Sequence, residues 1–237
     1  MGIESFMRIE AMNWPQVEEA VRRDDRCLLP LGCTEQHAFL SLATDTILAG
    51  RIAEEAAAPL GLPVFPALPY GLTPGFMAYP GTVTLSLETF GRVIKDLLAS
   101  LYAQGFRRIL IVNGHGGNAP GRASATEWLA AHPDVRLKWH DWWIAPETWA
   151  KVQEIDSKAS HASWMENFPW TRLVGVISPD FEKPMASLAD MRHLEPRDVR
   201  SALGDGNCGG RYERGDEEML ALWTIAVNET RALLDSW

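Results

Sequence analysis

The sequence predicts an α/β fold: a single domain over residues 1–237, with a mainly parallel sheet covered by helices on both faces. Three observations predict it. Apolar runs of strand length alternate with longer stretches in which apolar residues recur at helical spacing. Helix following strand at this interval is the pattern of a parallel, helix-covered sheet. The 237 residues suit one domain with a sizeable core, and no internal repeat, low-complexity linker or second domain interrupts them.

Trp14–Val21 reads as a first amphipathic helix, with Asn13 placed to cap it and Pro15 tolerated in its first turn. A strand over 27–31 and a helix over 45–58 follow, the helix ending near Pro59-Leu60-Gly61. Val64–Leu68 reads as a shorter strand, and Pro69-Tyr70-Gly71 opens an irregular segment reaching Pro80-Gly81. Val83-Thr84-Leu85 reads as another short strand. Ser86 then caps a helix to about Ala103, whose Phe90, Val93, Ile94, Leu97 and Leu98 keep helical spacing. A buried strand over 107–113, a helix over 119–131 and a strand over 135–139 complete the regular part.

Beyond Trp139 the pattern loosens. Trp139, Trp142, Trp143, Trp149, Trp164 and Trp170 are expected mainly in the core or between subunits, with an aromatic wall around a flat substrate as the alternative. Leu173–Val176 reads as a last core segment. Residues 178–215 are expected to be loop-rich, with Gly204–Arg211 the most flexible part and Ser201–Arg214 moving or making subunit contacts. A helix over 216–235 closes the chain, Asp216-Glu217-Glu218 suiting its positive end.

Hydrophobic residues make up 46% and charged residues 22%, as in an ordinary globular protein. The net charge of −9, with no basic stripe, argues against a nucleic-acid or anionic-membrane partner. Met1–Arg8 lacks the basic and apolar regions of a signal peptide, and no apolar run reaches membrane-spanning length. Cys27, Cys33 and Cys208 form neither a CxxC pair nor an even disulfide framework, so a reducing, cytoplasmic location is expected.

The chemistry gathers where strands end. The 27–31 run ends in Gly32, and Glu35, His37 and Asp45 follow, the ligand types of a divalent transition metal such as zinc or manganese. Glu35 and His37 are two apart, so an extended segment points both to one face. Asp45 opens a helix, where an anion is favoured. A capped helix beside surface Glu and His side chains would account for the same residues. The 107–113 strand likewise ends in Asn113-Gly114-His115-Gly116-Gly117-Asn118. Ligands of open α/β sheets bind outside the carboxyl ends of the strands, so the two motifs are expected to converge.

Taken together, Gly32-x-Thr34-Glu35-Gln36-His37, Thr44-Asp45, Tyr70-Gly71, Pro80-Gly81-Thr82, Asn113–Asn118 and His161-x4-Glu166 resemble the creatininase (creatinine amidohydrolase) family, in family order over well over half the chain. The resemblance implies a commonly hexameric amidohydrolase that holds two divalent ions (Zn, Mn or Fe) per subunit. Its activity would be cleavage of a C–N amide or lactam bond of a small molecule through a metal-bridging hydroxide. By position, Glu35, His37, Asp45 and His115 match the metal ligands, Asp45 bridging both ions. His161, whose unperturbed pKa lies near neutrality, is the candidate to protonate the leaving nitrogen, or else it orients a ligand carboxylate.

The chain departs from the family in three places. Creatininase has a glutamate where Gly117 stands, so one more metal donor is expected; Glu166 is the unassigned acid, as ligand, as acid/base, or as a plain loop carboxylate. The usual Glu-Gln-His-Gly-Pro-His is here Glu35-Gln36-His37-Ala38-Phe39-Leu40, one residue shorter before the aspartate. Polar residues common before Pro-Gly-Thr are replaced by Pro74-Gly75-Phe76, which turns a pocket wall apolar and argues against creatinine as substrate. The alternatives are a metal-dependent lyase or isomerase acting beside a carbonyl, and a non-catalytic metal-binding scaffold; His161 and Glu166, both retained, favour catalysis.

Overall fold

Helices cover both faces of the parallel sheet, and two of its three strands are accordingly almost wholly apolar. In the computed structural model, which describes residues 8–191 and 193–237, β1 (Arg26–Leu31), β2 (Arg108–Asn113) and β3 (Arg136–Asp141) pair in the order β1-β2-β3, all parallel. Leu28 faces Leu110, and Leu31 faces Asn113, so the motif-bearing ends of β1 and β2 lie side by side. Met1–Met7 lie outside the described residues, and with them the stretch that bears on a signal peptide.

Side chains alternate between two cores. Leu28, Leu110 and Val112 meet α2 (Thr44–Ala57), α5 (Pro146–Ile155) and α8 (Asp216–Asp235) through Leu48, Ile52, Val152, Met219 and Leu222. Cys27, Leu29, Ile109 and Ile111 meet α3 (Leu87–Ala103) and α4 (Ala119–Ala130) through Phe90, Ile94, Leu98 and Trp128. The first helix, α1 (Trp14–Arg23), adds Val17 and Val21 to the second core. Its start is a capping box, Asn13 accepting from the Gln16 amide while Gln16 accepts from Asn13. Ser86 caps α3 through the Thr89 amide.

Four expectations are corrected. Residues 64–68 lie alongside β1, but only Val64 and Leu68 bridge to it. Pro63, Pro66 and Pro69 have no N–H to give a ladder, so the strand never becomes continuous. Val83 and Thr84 likewise form only isolated bridges, to Thr34 and Gly71. Leu173–Val176 is surface rather than core: Val174 is fully exposed, and Leu173, Val176 and Ile177 are exposed beside it.

Finally, Gly206–Gly210 is buried rather than a flexible tip. The Cys208 amide donates to the His161 carbonyl at 3.0 Å, and Gly210 bridges to Lys183. Two short helices, α6 (Leu188–Met191) and α7 (Pro196–Leu203), also lie in the stretch read as loop. The tryptophans divide. Trp142 and Trp164 are fully buried in the first core, whereas Trp143 and Trp149 line a cleft. Among the described residues, no helix is long and apolar enough to cross a membrane.

Candidate metal centre

Beyond Leu31, Cys33, Glu35 and His37 alternate with Thr34 and Gln36, and all three are buried with donor atoms at the site. The segment is fixed by Thr34, whose hydroxyl donates to the Pro69 carbonyl at 2.8 Å. Gly32 lets the start of α2 pass directly over the strand end: a Cβ there would sit 2.4 Å from the Thr46 Cα. That close pass returns Asp45, in the first turn of α2, onto Glu35 and His37.

The end of β2 is held by two asparagines. The Asn113 side-chain amide donates to the His115 carbonyl and to Asp141, each at 2.8 Å, and Asn118 donates to the Gly32 carbonyl and to Asn113, each at 3.1 Å. The turn bearing His115 is thereby tied to the ends of all three strands.

Glu35, His37, Asp45 and His115 are buried, and they meet the partly buried His161 and Glu166 in one cluster. Asp45 faces two histidines at once: Oδ1 is 3.0 Å from His37 Nε2, and Oδ2 is 3.0 Å from His115 Nδ1. Glu35 Oε1 lies 3.4 Å from His115 Nδ1 and 3.5 Å from His161 Nδ1. Glu166 Oε2, held by the Ala162 amide at 2.6 Å, is 3.8 Å from His37 Nε2. The His161 ring stacks on Phe76, centroids 4.9 Å apart. Its Nε2 contacts the Gln36 carbonyl at 3.0 Å and the Gln36 amide nitrogen at 2.8 Å. Ala38 and Ala162, each following a site histidine, take left-handed φ values of 50° and 58°. Backbone in that region is costly for alanine and is kept where the surroundings over-determine it.

The donor set fits divalent cations. His37 Nδ1 lies 3.1 Å from the Glu35 carbonyl, and His115 Nε2 lies 3.0 Å from the Leu72 carbonyl. A carbonyl only accepts, so each of those nitrogens carries the proton and the other offers its lone pair to the cluster. A lone pair and a carboxylate oxygen 3.0 Å apart repel unless a proton or a metal cation lies between them. Glu35 Oε2, His37 Nε2 and Asp45 Oδ2 are buried without a hydrogen-bond partner, an arrangement costly for a structural site and natural for a ligand sphere.

The charges are strongly coupled. Burial lowers the His37 pKa, but Asp45, Glu166 and Glu35 outweigh it and raise it to about 10. Burial raises Asp45, yet His37 and His115 hold it well below the usual carboxylate range. Burial pushes Glu166 up to about 7 against the pull of His37. Burial, reinforced by repulsion from His37, depresses His161 well below the ordinary imidazole value. A divalent ion bound here would displace protons from the histidines, so loading is coupled to proton release.

Gly117 has a physical reason to lack a side chain. A Cβ there would fall 2.0 Å from the Leu72 carbonyl and 2.4 Å from His115 Nε2, the two partners of the bond that sets the His115 tautomer. Gly117→Ala, whose cost comes from this overlap, is expected to destabilise the fold by about 1–3 kcal/mol and to misalign His115. Denaturant unfolding together with metal titration checks both effects.

The cluster opens into a cleft of about 740 Å³. Its walls come from Leu72–Phe76, from Trp143, Ile144 and Trp149 after β3, and from Met191, Leu194, Pro196 and Val199. The last four sit in the stretch read as loop, where no periodicity flagged them. Cys33, whose Sγ lies within 4.8 Å of an Asp45 oxygen and a His115 nitrogen, is not among the site residues the sequence predicts, although its alternation with Glu35 and His37 is visible there.

A family model described as creatinine amidohydrolase matches residues 10–230. The chain is 32% identical over 109 residues to the 3-dehydro-scyllo-inosose hydrolase of Thermotoga maritima, covering 45% of this chain and 35% of that protein. It is 30% identical over 115 residues to the creatinine amidohydrolase of Pseudomonas putida, covering 46% and 44%. To the mycofactocin precursor peptide peptidase of Mycolicibacterium smegmatis it is 32% identical over 185 residues, covering 72% and 66%. The matched stretches thus span between about a third and two thirds of the length of these curated relatives.

A solved mutant creatininase superposes with a TM-score of 0.81 at 20% identity, covering 98% of each chain. A manganese creatininase does so at 0.77 and 19%, covering 97% and 98%. The fold of those enzymes is the fold found here, and the family model runs from before β1 to within α8. With its motifs in order at the ends of β1 and β2, the chain belongs to the creatininase family.

Proposed function

We propose that this protein is a dinuclear metal-dependent amidohydrolase that cleaves a C–N amide or lactam bond of a small molecule. One observation carries the reading: the two oxygens of Asp45 face two different histidines, each at 3.0 Å, as a carboxylate shared by two cations does. His115 and Glu35 would hold one ion (Zn, Mn or Fe), and His37 and Glu166 the other. When bound, such a pair lowers the pKa of water and polarises the scissile carbonyl.

The protein's own groups supply the rest. His161, at the cleft and neutral through burial, keeps its proton on Nε2 against the Gln36 carbonyl, so its Nδ1 can accept a hydrogen bond, or accept a proton and pass it on to the leaving nitrogen. Glu166, raised to about 7, is poised for proton exchange if it does not bind metal. Phe76 and Trp143 present apolar faces that keep water from the carbonyl and favour a flat substrate. A second reading, hydrolysis of a short peptide, is favoured by the 72% of this chain aligned with the mycofactocin precursor peptide peptidase.

A panel of lactams, linear amides, formamides and short peptides, followed by release of ammonia, amine or formate, separates these readings. Metal-dependent release from a lactam or amide supports the first. Release from peptides alone supports the second, and turnover without hydrolysis supports a lyase or isomerase. We also propose a homohexamer in the cytoplasm. The exposed Leu173, Val174, Val176, Ile177 and Phe181 support self-association. Sedimentation is expected to give six subunits at micromolar concentration, and a monomer would contradict it.

A further inference from the structure

The cluster contains one donor for which the site as described has no use. We propose that the Cys33 sulfur is a direct ligand of the ion held by Asp45 and His115, making that position of the pair a sulfur-containing, zinc-selective one. This rests on the dinuclear reading of the site.

Three observations lead there. Cys33 is fully buried, two residues before Glu35 and four before His37 in the segment that follows β1, and both of those are buried with it. Its Sγ, an Asp45 carboxylate oxygen and a His115 ring nitrogen all lie within 4.8 Å of one another, close enough to surround one cation. Asp45 Oδ2, the oxygen turned to His115, is buried and has no hydrogen-bond partner, so the space between these atoms already points to a bound cation. The other cysteines are placed otherwise: Cys27 packs in the second core, and Cys208 joins a small apolar cluster with Phe76 and Val199.

Coordination requires the thiolate. One sulfur–metal bond forms, the S–H bond breaks, and its proton leaves to solvent. A thiolate is a soft donor that suits zinc and cobalt better than manganese, which prefers oxygen. The two positions would then differ: one with sulfur, nitrogen and carboxylate, the other with His37, Asp45 and Glu166 and tolerant of harder ions. Cys33→Ser is expected to shift the preference of the first position toward manganese by ~10-fold or more, the size of effect seen when a metal site loses supporting contacts.

Cobalt(II) tests this without reference to activity. The cobalt-loaded full-length protein should show visible ligand-field bands and a near-ultraviolet sulfur-to-cobalt charge-transfer band. Cys33→Ser should lose the charge-transfer band and keep the ligand-field bands, while Cys27→Ser and Cys208→Ser keep both. If Cys33→Ser does not fold, X-ray absorption of the zinc-loaded wild type decides: a sulfur scatterer at about 2.3 Å is expected, and oxygen and nitrogen scatterers alone overturn the proposal. Ligand-field bands without a charge-transfer band in the wild type would likewise overturn the Cys33 assignment and leave the metal site standing. Failure to bind cobalt or zinc at all would overturn both.

Discussion

Asp45→Asn is expected to leave a folded protein that retains neither ion and turns over ~10³-fold or more slowly. The reasoning starts from geometry. Asp45 is the residue whose two oxygens reach both histidine sides of the cluster, at 3.0 Å each. Asparagine keeps the shape but replaces one oxygen with an NH2 group, which has no lone pair for a metal and points two hydrogens at it. The half facing the NH2 group then loses its donor, and both halves lose the negative charge they shared. Losing a metal pair removes several kcal/mol of transition-state stabilisation, and each factor of ten is about 1.4 kcal/mol. His115→Ala is the contrast: it should empty mainly the half beside Glu35 and leave His37, Asp45 and Glu166 holding one ion. Elemental analysis per subunit, with near-ultraviolet circular dichroism as the folding control, distinguishes the cases. Two ions still bound to the Asp45 variant would end the bridging assignment.

Much of the fold was legible because its signals are local. Asn13 and Ser86 advertise helix starts by chemistry that works over three residues. The apolar runs of β1 and β2 required burial on both sides. Convergence at the strand ends followed from topology alone, since parallel strands deliver their C-terminal residues to one edge. Where the reading failed, the deciding information was remote. Leu173–Val176 is apolar enough for a core, and nothing in its own residues says that the helices have already filled both faces of the sheet. Glycines 206, 209 and 210 do adopt positive φ. That conformation lets the backbone pack closely beside Gln36, Met185 and Lys158.

At the site, residue types were readable and partnerships were not. Sequence could place Glu35 and His37 on one face, but not which oxygen meets which ring nitrogen. That is set by Leu72, whose carbonyl fixes His115 from a distant loop. The same carbonyl explains Gly117, which in sequence appeared only as a missing glutamate. Cys33 is obscured for a different reason: a free cysteine outside a CxxC pair reads first as redox evidence, although its alternation with two metal-type residues is visible in the sequence.

Glu166→Gln is expected to weaken the ion beside His37 by ~10- to 100-fold, to lower turnover in step, and to leave the ion beside His115 in place. The carboxylate is well sited for this. Its Oε2 lies 3.8 Å from His37 Nε2, and it forms a compact donor group with His37 and Asp45. The space a glutamate at position 117 would need is filled by the Leu72 carbonyl and the His115 ring, so the donor must arrive from the other side of the cluster, where the Trp164–Glu166 turn delivers it. Glutamine preserves size and the contact with the Ala162 amide, which confines the change to charge and ligand strength. An alternative role as acid or base is chemically open, because burial places Glu166 near 7. The two roles part in one experiment that measures occupancy and turnover together. If the variant loses turnover while both ions bind with unchanged affinity, Glu166 moves protons rather than holding metal. If neither quantity changes, the second ion is held some other way.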